Sequence, residues 1–129
     1  MATPELRRAS DGYLISDRCV SWERWQPSYR KASVDLLSGE THIESVGGRS
    51  YRGTATFKFD STIPTSSLAN QDILDDCAYS VTLLTFRDLR GDVYEVEIEG
   101  GLEITPVENS RVREVNLVQV TFVRGRKVG

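Results

Sequence analysis

A strict alternation of apolar and acidic residues marks the segment from Tyr94 to Glu99. Tyr94, Val96 and Ile98 share one parity, and glutamates occupy the other. Successive side chains of a β-strand point to opposite faces of the sheet, so a period of two is typical of a half-buried antiparallel strand. The same parity resumes with Leu102, which predicts that the intervening glycines form a bulge or bend within one long strand, with a hairpin turn as the less favoured alternative.

Two further β-rich segments flank this strand, Tyr79–Phe86 before it and Val112–Val123 after it. The connections Asp88–Gly91 and Pro106–Ser110 consist of residues that tolerate turn geometry. The sequence therefore predicts a three-stranded antiparallel meander.

The chain before the meander supplies the rest of the predicted core. Thr54–Asp60 alternates cleanly and predicts a strand, and Lys31–Leu37 and Thr41–Val46 predict two more, joined by a turn at Leu37–Glu40. Gly47–Gly53 is interpreted as a mobile hairpin tip. The only helical period lies between Ile63 and Cys77, and it predicts one short helix.

These elements predict a mainly β protein, an antiparallel β-sandwich or small barrel with one short helix. A length of 129 residues favours one domain. We expect a flexible N-terminal arm at residues 1–11, the domain at 12–124 and a basic C-terminal tail at 125–129.

Composition excludes several classes of function. A net charge of −3 argues against nonspecific nucleic-acid binding, which depends on phosphate neutralisation. No apolar run approaches the roughly 20 residues that span a bilayer, and the first residues lack the apolar region of a signal peptide. We therefore expect neither a membrane nor a specific nucleic acid as a partner.

No arrangement of residues predicts catalysis, a metal or another cofactor. The single histidine, His42, falls in a predicted strand without a nucleophile elbow, and it is interpreted as a solvent-facing residue. Cys19 and Cys77 lack the compact spacing of metal ligands and are expected to be reduced and buried. The clustered carboxylates of Asp72, Asp75 and Asp76 are interpreted as the solvated face of the helix.

The chain has one aromatic and basic cluster, in which Trp22, Trp25 and Tyr29 lie close to two arginines. Such a cluster can be plain core, an interface anchor or a platform that stacks a sugar. Arg49 and Arg52 in the predicted hairpin tip are further candidates for contact with an acidic partner. The solvated glutamates Glu95, Glu97 and Glu99 would meet a neighbour's arginines if another subunit covered that face.

The segment from Tyr51 to Val123 resembles a recurrent pattern in tail proteins of tailed phages. The pattern comprises a Gly-Thr-x-Thr strand opening at Gly53, a short helical spacer, a Leu-Thr-Phe-Arg-Asp-x-Arg-Gly hairpin at Leu84–Gly91, a Val-Tyr-x-Val strand and a closing strand at Val115–Phe122. It is similar to the β-sandwich domain of minor or distal tail proteins of long-tailed phages (siphophage-like), which are related to tail-tube proteins.

This resemblance implies a structural, non-enzymatic virion protein, made in the host cytoplasm, that assembles into rings with copies of itself and with neighbouring tail proteins. The alternative is a β-sandwich that binds carbohydrate or a host surface through Trp22, Trp25 and Tyr29. A hydrolase that uses His42 is a third hypothesis, and it is disfavoured.

Overall fold

The computed structural model describes residues 4–35, 41–80 and 82–129, and for residues 28–35 and 41–49 it describes the backbone alone. The described residues form eight β-strands and one α-helix, α1, at Leu68–Ser80, which follows a single 3₁₀ turn at Pro64–Ser66. The strands are β1 Glu5–Arg8, β2 Leu14–Ser16, β3 Cys19–Trp22, β4 Gln26–Asp35, β5 Thr41–Asp60, β6 Leu84–Arg87, β7 Val93–Asn109 and β8 Glu114–Lys127.

All strand pairs are antiparallel and belong to one sheet with the order β2-β1-β6-β7-β8-β5-β3, and β4 also pairs with β5. The predicted mainly β fold with one short helix is confirmed. The sheet is not a closed barrel, which agrees with the sandwich-like alternative.

The predicted meander is present as β6, β7 and β8, which are neighbours in the sheet. β7 runs without interruption through Gly100 and Gly101, and its register against β8 shifts between Glu99 and Glu103. Gly100 has φ +74°, a left-handed conformation that glycine adopts without steric cost. The bulge expected from the sequence is therefore confirmed.

Three predicted boundaries are wrong. Tyr79 belongs to the end of α1, and β6 begins only at Leu84. β7 continues through Pro106, which lies next to another register shift against β8, where a residue without a backbone N–H is tolerated. The turn that follows β7 is formed by residues 110–113. Gly47–Gly53 is part of β5 instead of a hairpin tip, and the turn expected at Leu37–Glu40 lies outside the described residues.

The core lies on one face of the sheet, beneath α1. Alternate residues of β5, namely Ala55, Phe57 and Phe59, are fully buried, as the parity of this strand predicted. Cys77 is buried in the same cluster and Cys19 packs against it, half-buried. Both thiols are free, and burial raises the pKa of each. Among the residues whose side chains are described, the buried cluster contains Leu6, Ile15, Ala55, Phe57, Phe59, Leu74, Cys77, Leu84, Phe86, Val96, Ile98, Val118, Val120 and Phe122.

The prediction of a flexible arm at residues 1–11 is wrong for Glu5–Arg8, which forms β1. Glu5–Arg8 pairs along its length with β6, and Leu6, opposite Phe86, has no exposed surface. The expected tail is likewise partly in the sheet, because β8 extends to Lys127 and the N–H of Val93 donates to the carbonyl of Gly129 at 2.8 Å.

Replacing Leu6 with alanine tests whether β1 is a core strand. The cavity left in a close-packed core should lower the free energy of unfolding by about 2–5 kcal/mol, measured by urea denaturation. Leu83→Ala, at a half-exposed leucine, is the matched control and should change it by less than about 1 kcal/mol. Equal effects of the two substitutions would contradict the docking of β1.

Asp60, at the end of β5, is fully buried although its parity predicted exposure. The Arg113 guanidinium donates to both carboxylate oxygens of Asp60 at 2.5–3.3 Å. The backbone N–H and the hydroxyl of Thr62 donate to Oδ1 of Asp60 at 2.9 and 2.8 Å. These donors favour the ionised form and hold the pKa of Asp60 far below its ordinary value.

This depressed pKa predicts a pH-dependent contribution to stability. The contribution is fully present above the pKa of the unfolded chain, about 4, and is lost as the pH falls towards the folded-state pKa. Asp60→Asn should therefore destabilise the protein most at neutral pH, and the difference from wild type should shrink below about pH 4. Thermal unfolding at several pH values measures it, with the exposed Glu103→Gln as control; a pH-independent difference would refute the linkage.

Candidate interaction site: a cleft of aromatic rings and arginines

Trp22 ends β3 and packs over the open end of the core. Its ring centroid lies 4.8 Å from that of Phe86 and 4.8 Å from that of Trp25, which it meets edge-on at 76°. Both tryptophans are half-buried against the core cluster. Trp22 thus uses one side of its ring for packing, which leaves less of it for stacking on a ligand.

Gly53 allows the two tryptophans to reach this position. A Cβ atom at residue 53 would collide with the Trp22 ring, lying 2.9 Å from Cζ3 and still closer to Cη2, and it would lie 3.0 Å from Cε3 of Trp25. The glycine opposite Phe122 therefore provides the space that the indoles occupy over β5.

Arg124 follows the buried Phe122 by two residues and has the same parity on β8. Its Cζ atom lies 3.8 Å from the ring centroid of Tyr51, 4.5 Å from that of Tyr94 and 5.6 Å from that of Trp25. Three aromatic faces thus surround one guanidinium, an arrangement stabilised by the negative potential of the rings.

The turn between β6 and β7 closes the cleft on one side through Asp88. Its Oδ2 accepts the indole N–H of Trp25 at 3.3 Å, and its Oδ1 accepts the backbone N–H groups of Arg90 and Asp92 at 2.9 and 3.2 Å. Asp88 is buried, and these bonds occupy both oxygens. Its carboxylate therefore organises the turn, and among the described residues it forms no ion pair with a cleft arginine.

The cleft has a volume of about 630 Å³ and is lined by the aromatic rings of Trp22, Trp25, Tyr51 and Tyr94 together with three arginines. Arg24 and Arg90 are exposed, and in the described part of the chain their side chains form no ion pair. The second acidic lining residue, Asp92, pairs with Lys127 at 3.1 Å. The cleft is therefore an aromatic surface with excess positive charge.

The structure brings Trp22 and Trp25 together. Of the other predicted contact residues, Arg52 lies outside the cleft, and the side chains of Tyr29 and Arg49 are not described. Arg52 forms an ion pair with Glu99 and donates to Ser50 at 3.2 Å, and it does not line the cleft. Tyr29 and Arg49 face each other in the β4–β5 ladder, and their side chains lie outside the described part.

Sequence reasoning missed Tyr51, Asp88 and Arg124 as members of this site. Parity carried one usable signal, because Arg124 continues the series of Val118, Val120 and Phe122 on the inner face of β8. A charged residue at the next inward position of a buried series indicates the end of a core.

The glutamate face of β7 is partly neutralised by the chain itself. Glu95 pairs with Arg126 and Glu99 with Arg52, whereas Glu97 is exposed without an ion pair among the described residues. A neighbour's arginines are therefore not needed to complement two of the three glutamates.

Other candidate sites find no further support. Over residues 4–35, 41–80 and 82–129 no group of three or more acidic, cysteine or histidine residues is arranged to hold a metal ion. His42 lies in β5 opposite Val34, and its side chain is not described. Within those same residues, no helix has the length and apolar character to cross a membrane.

Comparison with solved structures finds a similar fold in a particle tail. A chain from the tail of an empty gene transfer agent particle, determined with C6 symmetry, superposes with a TM-score of 0.54 at 16% identity, over 98% of this chain and 92% of that one. A chain from the virion of a native gene transfer agent particle gives a TM-score of 0.49 at 12% identity, over 98% and 96%. No protein-family model and no curated protein matches the sequence.

Gly53→Ala should disturb the cleft because the new methyl group needs the space that Trp22 fills. We expect a loss of about 1–3 kcal/mol in the free energy of unfolding and a red shift of tryptophan emission as the indoles move into solvent. Gly101→Ala is the matched control, since a Cβ there meets no atom within 4 Å. Unchanged emission in Gly53→Ala would contradict the packing described above.

Proposed function

We propose that this protein is a structural subunit of a phage-like tail and acts through contacts between subunits. One observation carries the proposal: the likeness to the gene transfer agent tail chain extends over nearly the whole of both chains. A shared core motif would align over a part only, whereas this alignment covers 98% of this chain and 92% of the other. The resemblance of residues 51–123 to phage tail proteins supports the same role independently.

Within the tail, the protein assembles into a ring, in or beside the tube, with copies of itself and with neighbouring tail proteins. The C6 symmetry of the related tail makes six copies the first number to test. The sheet offers suitable surfaces, because a sheet that is not closed has edge strands whose N–H and C=O groups can pair with another chain.

The proposed role is non-enzymatic and places the mature protein in the virion. The cleft does not change this view, because its charged groups are three guanidinium groups and two carboxylates already engaged by the turn and by Lys127. A carbohydrate-binding role is less well supported, since one side of Trp22 packs on Phe86 and Arg124 lies over the ring of Trp25.

Light scattering coupled to size exclusion, over a hundredfold range of protein concentration, tests the proposal. We expect a discrete species of several times the 14.5 kDa of one chain, six times for a hexamer, and ring-shaped particles by negative-stain electron microscopy. A chain that stays monomeric throughout and binds none of the tail proteins encoded beside it would refute the structural role.

A further inference from the structure

We propose that the arginine and aromatic cleft binds the acidic face of helix α1 of a second copy of this chain. The inference rests on the proposed function and specifies one of its subunit contacts.

The acidic face of α1 is a continuous stripe. Asp72, Asp75, Asp76 and Tyr79 lie at positions i, i+3, i+4 and i+7, which share one side of a helix. All four are exposed, Tyr79 to 92% of its surface. The helix contains no basic residue, and in the described structure none of the three carboxylates forms an ion pair.

The cleft offers the complementary groups. Arg24 and Arg90 line it as exposed residues without a carboxylate partner in the described residues, and Arg124 adds a third charge held by aromatic rings. Arginine binds carboxylates through two parallel N–H donors, and an exposed tyrosine beside them is a frequent interface anchor. The three acidic groups of α1 thus complement a cleft whose three arginines outnumber its two carboxylates, with Tyr79 available to meet the aromatic wall.

The two surfaces of one chain do not meet each other. No residue of α1 lines the cleft, and within the described residues no ion pair joins a carboxylate of the helix to an arginine of the cleft. The contact must therefore form between copies, and a surface that binds a different surface of the next copy gives a head-to-tail interface, which closes into a ring when the rotation permits.

Charge reversal on each side tests the pairing. The double variants Arg24→Glu with Arg90→Glu (cleft-reversed) and Asp72→Arg with Asp75→Arg (helix-reversed) should each raise the apparent dissociation constant of self-association at least about tenfold. An equimolar mixture should restore association, because each reversed surface then meets an opposite charge on the other variant. Analytical ultracentrifugation of each variant and of the mixture gives the readout.

Arg18→Glu with Arg111→Glu is the control, because it makes the same change in net charge at exposed arginines outside the cleft. It should associate like the wild type. Circular dichroism and melting temperature establish that every variant is folded, and Arg24→Gln with Arg90→Gln replaces the cleft-reversed variant if the latter does not fold; this milder variant should also weaken association.

Restored association in the mixture alone supports the proposal. Unchanged association of the cleft-reversed variant, or failure of the mixture to associate, overturns this interface and leaves the tail role standing. A monomeric wild type also overturns it, while the tail role is then decided by binding to other tail proteins. Wild-type-like assembly of the cleft-reversed variant, with loss of binding to an acidic glycan, would assign the cleft to a ligand instead.

Discussion

The register of β5 against β8 determines the rest of the structure. It sets Ala55 opposite Val120 and Phe57 opposite Val118, so that two alternating patterns become one continuous apolar face. Because the side-chain period is two, a shift of one residue would turn this whole set towards solvent. Helix α1 and strands β1 and β6 then pack over or beside the apolar face that β5 and β8 form together.

The same register explains why a charged cleft lies at the end of a hydrophobic core. The inward series of β8 passes from Phe122 to Arg124, and beyond Gly53 the inward position of β5 is Tyr51. A guanidinium removed from water loses hydration, and the aromatic faces offset part of this loss, by about 0.5–2 kcal/mol for each favourable contact. The cation is consequently held in one position before any partner arrives, which reduces the entropy lost on binding.

Sequence reasoning predicted the elements that have a long, regular pattern. Local sequence was enough to recognise the alternation in β5 and β7, the glycine bulge and the helix, because each of these segments is long enough to repeat its characteristic spacing of apolar residues several times. β1 was missed because its four residues, three of them charged, include only one apolar residue, Leu6, and their strand character comes from pairing with β6. The tryptophans were identified as residues of interest, whereas Arg124 meets Tyr51 only through the β5–β8 ladder, a long-range pairing that local pattern does not show.

The bulge in β7 also bears on how this strand can change in evolution. Three residues, Gly100 to Leu102, stand opposite the single Val120, so the strand carries two extra residues at that point. An even number leaves the inward parity intact on both sides, which is why Ile98 and Ile104 face the same side of the sheet, opposite Phe122 and Val118. Insertions and deletions at this site are thus compatible with the fold in pairs, whereas a single-residue change would exchange the inner and outer surfaces of the following segment.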